Sequence, residues 1–105
     1  MKMISMLAVL SFLATPAFAG QSAADKAFAQ SMQTMMMGMN QQPTGNADKD
    51  FVLMMMPHHQ GAIDMAKVEL QYGKDPLLLK LANDIVAAQE KEIAGMKEWL
   101  ARNAK

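Results

Sequence analysis

The chain of 105 residues has no cysteine. That excludes disulfides, thiolate metal sites, cysteine nucleophiles and the lipid-bearing cysteine of a bacterial lipoprotein. Charge of neither sign is in excess. Ten Lys and Arg stand against ten Asp and Glu, so the sequence carries no electrostatic footprint for nucleic acid or an anionic membrane. Aromatic residues make up 6 %, and no alternating run of Val, Ile, Thr and aromatics reads as a strand. H-E-x-x-H, a glycine-rich phosphate loop and a serine or cysteine nucleophile motif are all missing. So is the Glu-x-x-His pair of carboxylate-bridged di-iron bundles, because Met55 and Met56 stand three residues before His58 and His59. Hydrolase and nucleotide-binding readings therefore have no residues to rest on, and no enzymatic activity is expected. The residue in excess is methionine, thirteen of 105.

Some of that methionine belongs to a leader. Lys2 supplies a positive start, Ile4 to Leu13 an apolar stretch, and Ala17-Phe18-Ala19 an A-x-A cleavage site, the order of a secretory signal peptide. The stretch is shorter than the roughly 20 residues a membrane-spanning helix needs. Residues 1–19 are expected to be cleaved, taking Met1, Met3 and Met6, and 20–105 to form one domain in the periplasm or outside the cell. No stable membrane anchor is expected after cleavage. A domain this small often leans for stability on a metal, a disulfide or a second subunit, and cysteine is absent.

The remaining chain reads as all-α, with three helices. The first is expected over about 22–41, with Ser22 as N-cap and a stop at Pro43-Thr44-Gly45-Asn46. The second is expected over about 47–73, ending at Gly73 as a left-handed C-terminal residue. The third is expected over about 75–103, opened by an Asp75 cap and an N1 proline, Pro76. Pro57 lies inside the second helix, where it removes a backbone hydrogen bond and should kink the helix before the two histidines.

At about 100° per residue, Phe51, Met54, Met55, Ala62, Met65, Glu69 and Tyr72 share the face of His58. His58 is thus expected to point into the packed face and His59 to lie at its flank. On the third helix Leu78, Leu81, Ile85, Met96, Trp99 and Leu100 form an apolar stripe, with Gln89 and Glu92 near its middle. A carboxylate there needs a partner, for which a histidine, a lysine or a cation would serve. The first helix carries Phe28, Met32, Met35, Met36 and Met39 on one stripe, with Met37 off it.

A methionine stripe is ordinarily core filling, and a lone histidine on an apolar face is ordinarily a hydrogen-bonded core residue. Thioethers and imidazoles together share a chemical preference. Thioether suits Cu(I), imidazole suits both copper oxidation states, and neither requires cysteine. Outside the cytoplasm thiols oxidise to disulfides, whereas methionine stays a neutral ligand unless it becomes the sulfoxide. The combination favours copper, Cu(I) above Cu(II).

The residues also resemble a known family of small helical proteins, the domain of unknown function 305, usually described as ferritin-like. The likeness rests on Asp48-x-x-Phe51, Met55-x-Pro57-His58-His59-x-x-Ala62-x-x-Met65-Ala66 and Gly73-x-Asp75-Pro76. It continues through Ala82-x-x-Ile85-x-x-x-Gln89-x-x-Glu92-Ile93-x-x-Met96-x-x-Trp99-Leu100. The resemblance implies a three-helix ferritin-like domain, part of a four-helix bundle, secreted or periplasmic, with copper binding or copper resistance as its role. By that analogy Met55, His58, His59, Met65 and Met96 are the candidate ligands, with Gln89 and Glu92 behind the imidazoles to orient them. Met35, Met36 and Met39 stand as auxiliary ligands.

The expected function is sequestration or transfer of Cu(I), with copper ions and another periplasmic copper protein as partners. Binding to neutral imidazole should fade below about pH 6. The rival is a metal-free interaction module or homodimer with a methionine-rich apolar surface, and a copper-dependent oxidase is a distant third.

Overall fold

A computed structural model describes residues 21–104; the expected signal peptide lies outside them. Three helices follow one another, α1 (Ala23–Met39), α2 (Ala47–Tyr72) and α3 (Pro76–Arg102). The described residues are thus all-helical, as the sequence implies, and no helix among them is long and apolar enough to cross a membrane.

Local chemistry sets the helix starts. The Ser22 hydroxyl accepts from the Asp25 N–H at 3.1 Å while the Ser22 N–H donates to the Asp25 carboxylate at 3.0 Å, a reciprocal capping box. The Asn46 side chain caps α2 by accepting from Lys49 N–H at 3.1 Å. Asp75 accepts from the N–H groups of Leu77 and Leu78 at 2.9 and 3.2 Å, with Pro76 filling the first turn. Between α1 and α2 the turn needs a left-handed residue, supplied by Gly45 with φ 87°. Asp50 ties this turn down by accepting from the Thr44 hydroxyl at 2.6 Å and the Thr44 N–H at 2.8 Å. Those bonds, the hydroxyl's first, hold the Asp50 carboxyl below its ordinary value.

Gly73 corrects an expectation. Its φ of −69° and ψ of 158° are extended rather than left-handed. The position instead requires room, since a Cβ there would fall 2.6 Å from the Glu69 carbonyl oxygen and closer still to its carboxylate.

α2 runs unbroken through Pro57. Proline has no N–H to give the carbonyl four residues back, that of Leu53. The Gln41 side-chain amide donates to it at 3.2 Å, and also to the Gly38 carbonyl at the end of α1 at 2.8 Å. One loop residue thereby joins the end of α1 to the carbonyl that Pro57 leaves without a donor. Here the chains approach closely. A Cβ on Gly38 would lie 2.8 Å from the Pro57 Cβ, and one on Gly61 would meet Met35 Sδ, Cγ and Cβ at 2.6, 2.7 and 2.9 Å.

The helices form a layer with α2 in the middle. α1 packs on one side of it, α3 on the other, and α1 and α3 do not pack on each other. The buried apolar side chains are Val52, Ile63, Ala66 and Val68 of α2 with Ala82 and Ile93 of α3, and of these Ile63 alone is fully enclosed. On α2 the residues facing α3 (Val52, His59, Ile63, Ala66) and those facing α1 (Pro57, Gly61, Val68) stand far apart around the helix. Two faces of α2 are therefore left uncovered, one apolar and centred on His58, the other polar and carrying Gln60 and Lys67.

Candidate metal centre

The seam between α2 and α3 opens into a groove of about 520 Å³ lined by Asp48, Phe51, Val52, Met55, His59, Glu92, Gly95, Met96 and Trp99. The first five lie on α2 within its first half, and the rest on the last three turns of antiparallel α3. The helical period brings Met55 and His59 to the same side of α2, one turn apart, and Glu92, Met96 and Trp99 to the same side of α3.

His59 is the polar centre of this groove. Its side chain is 13 % exposed, whereas that of Glu92, across the seam, is 59 % exposed. Nδ1 lies 3.0 Å from the Met55 carbonyl oxygen, and Nε2 contacts a Glu92 carboxylate oxygen. A carbonyl oxygen only accepts, so Nδ1 carries the hydrogen. In the neutral ring Nε2 then presents a lone pair, facing an anionic oxygen. A hydrogen shared along this contact, or a metal ion between ring and carboxylate, satisfies the pair.

The expected ligand set divides in the structure. Met55, His59 and Met96 line the α2–α3 groove together, with Glu92 at their side. Met65 does not join them. It lies almost two turns further along α2, in a second apolar groove with Phe28, Ala62, Leu78, Leu81 and Ile85. His58, expected to point into packing, is exposed, and His59, expected at the flank, is turned into the seam. Their ring centroids are 6.4 Å apart with planes at 59°. The physical reason is where the neighbours pack. α1 and α3 take the two sides of α2 and leave its most apolar stripe open, so the residue at the centre of the stripe is the exposed one.

Of the two residues expected beside the imidazoles, Glu92 meets the Nε2 edge of His59, the kind of partner its carboxylate requires, whereas Gln89 has its Oε1 buried without a hydrogen-bond partner. Of the auxiliary methionines, Met35 is half-buried with its thioether against Gly61, Met36 is 64 % exposed and Met39 is half-buried. Met36 and Met39 line an outer hollow of α1 with Met32 and Met37, separate from the seam. Among the described residues no three or more His, Asp or Glu side chains cluster closely enough to hold a metal ion. The seam instead offers one imidazole, one carboxylate and two thioethers, a mixed and largely soft set.

Asp48, Phe51 and Trp99 are lining residues that residue-by-residue reading of ligand chemistry passes over. They carry no soft ligand atom, and what marks them is their place in the ordered motif. Phe51 and Trp99 wall the seam with aromatic surface beside the donor atoms, and Asp48 adds a carboxylate at its end.

The fold and groove define a small all-helical domain whose donor side chains sit between two antiparallel helices. The chain belongs to the family described as Domain of unknown function (DUF305), whose sequence profile matches residues 3–100. It is also 42 % identical over 53 residues to an uncharacterized protein of Acanthamoeba polyphaga mimivirus. That match takes in 50 % of this chain and 35 % of the viral protein, so the chain spans about a third of its relative's length.

Proposed function

We propose that this protein is a periplasmic copper-binding protein that sequesters Cu(I) or passes it to another periplasmic copper protein, without catalysis. The observation supporting this reading is convergence. Asp48, Phe51, Met55, His59, Glu92, Met96 and Trp99, spread over half the chain, line one groove. His59 is the principal ligand through Nε2, with its Nδ1–H held by the Met55 carbonyl, the arrangement that fixes a metal-binding imidazole. Met55 and Met96 supply thioethers, and Glu92, already at Nε2, takes the place of a ligand or counter-charge rather than a support behind the ring. In this reading His58 and Met65 stand outside the ion's immediate surroundings within one chain.

The test is an anaerobic Cu(I) competition titration of the purified protein beside His58→Ala, His59→Ala and Met96→Leu. His59→Ala and Met96→Leu should each weaken binding by about tenfold or more, and His58→Ala by much less. Unchanged affinity in a His58→Ala/His59→Ala double variant would remove the histidines from the site.

A further inference from the structure

We propose that a second copy of this chain covers the open apolar face of the three-helix layer, with α2 crossing α2 of the partner in an antiparallel, two-fold arrangement near Ala62. The inference stands on the packing alone and does not depend on the copper reading.

The face is continuous. Along α2 it consists of Phe51, Met54, His58, Ala62, Met65 and Tyr72, all on one side of the helix. α3 extends it with Leu78, Leu81 and Ile85, and α1 with Phe28, which share a groove with Ala62 and Met65. Phe51, Met54, Met65, Tyr72, Leu78 and Leu81 are between 37 % and 59 % exposed. At about 200 Å² for a large side chain, those six alone leave on the order of 600 Å² of surface open to water. Phe28, Ile85, Met96 and Trp99 add to it, approaching the roughly 800 Å² per partner of a stable interface. A patch of that size exceeds what a monomer ordinarily shows. The reverse side of the layer, with Gln60, Lys67, Glu90 and Lys97, is polar. Three carboxylates share this side: Glu69 lies within the α2 stripe, Glu92 within the α3 stripe, where His59 engages it, and Asp48 at the end of the α2–α3 groove.

The interior calls for the same partner. Among the described residues six buried apolar side chains, one of them fully enclosed, are a thin core for three helices of this length. A two-fold pairing turns the layer into two facing layers, with both apolar faces inside. The α2 stripe runs from Phe51 to Tyr72 with Ala62, its smallest residue, at the middle, where two helices come closest. An antiparallel crossing there sets His58 beside Met65 of the partner subunit, twice by symmetry. The two residues that stand apart from the groove within one chain thereby meet across the pair.

The experiment is sedimentation equilibrium of the purified protein in EDTA, from about 1 to 100 µM, joined to cross-linking. With no native cysteine, single-cysteine variants report one position each. Twice the chain mass is expected, with Ala62→Cys forming a disulfide-linked dimer under oxidised glutathione while Lys67→Cys on the polar side stays unlinked. Met65→Glu should weaken association at least 100-fold, with its helicity checked by far-UV circular dichroism. If that variant does not fold, the cross-linking pair decides alone. A monomer throughout the range would overturn the proposal and leave the face to a different macromolecule. A dimer that links through Lys67→Cys and not Ala62→Cys would overturn it too.

Discussion

Gly61 and Met35 separate packing from metal binding in α1. Replacing a mid-helix glycine with alanine ordinarily stabilises by about 0.5–1 kcal/mol, because the chain loses less freedom on folding. At Gly61 the added Cβ would meet three successive atoms of Met35, including its Cβ at 2.9 Å, which is fixed to the backbone of α1. Rotating the thioether away therefore does not suffice, and α1 must shift. Overpacking of this kind costs about 1–3 kcal/mol, more than the helical gain. Gly61→Ala should thus be destabilised by about 1–2 kcal/mol, a fall in melting temperature of roughly 4–16 °C for a domain of this size. Met35→Ala removes a half-buried side chain and should cost about 1–2 kcal/mol by itself. In the double variant the contacts with Met35 Cγ and Sδ are gone while the Cβ–Cβ contact at 2.9 Å remains, so the loss should fall short of the sum by part of the overpacking cost, about 0.5–1 kcal/mol. The assay is urea unfolding followed by far-UV circular dichroism, at one fixed protein concentration. A Gly61→Ala protein as stable as the native one, or additivity in the cycle, would refute the close-packed account. Under the same account Met35→Ala leaves Cu(I) affinity within about twofold, because its sulfur is spent on packing.

Other outcomes follow from the same geometry. Gln41→Ala leaves the Leu53 carbonyl without the donor that replaces Pro57, and should cost about 1 kcal/mol in urea unfolding. Pro57→Ala restores a backbone donor there, so Gln41→Ala in that background should cost measurably less. Asp25 is held below its ordinary value by the Ser22 N–H and then the Ser22 side chain, and Asp50 by Thr44. A carboxyl whose value is depressed by folding binds fewer protons folded than unfolded, so its contribution is full above about pH 4 and is lost as pH falls through the folded value. Asp50→Asn should flatten the acid side of the stability–pH curve and leave its slope above pH 5 unchanged, read by melting temperature against pH. Glu92→Gln should weaken Cu(I) binding while preserving the fold, as checked by the competition titration and by circular dichroism.

The helices were legible because local chemistry sets their ends. Ser22, Asp75 and Pro76 carry their caps in their own side chains, and the observed limits fall within two residues of the expected ones. Gly73 was misread because glycine serves two needs. Its sequence context suggests freedom to adopt positive φ, while the structure uses its missing Cβ to clear Glu69. Gln41 shows the opposite case. Pro57 announces an orphaned carbonyl at Leu53, but nothing local says that a glutamine twelve residues earlier will reach it.

The site was legible as a set of residue types and illegible as a direction. Helical periodicity places His58 at the centre of the most apolar stripe of α2, and an amphipathic helix normally buries the centre of its stripe. That inference supposes a neighbour facing the stripe. Here the neighbours sit on either side of α2, so the seam with α3 falls about 100° from the stripe and selects His59. The same rotation carries Met55 and Met96 into the groove and keeps Met65 out of it. Which of two adjacent histidines enters the seam is thus decided by no property of either. It depends on the azimuth at which α3 docks, which the small contacts Ala66 and Ala82 and the bulk of Ile63 and Ile93 set through packing. Pattern alone fixes which residues share a face of one helix; it does not say which face the next helix will take.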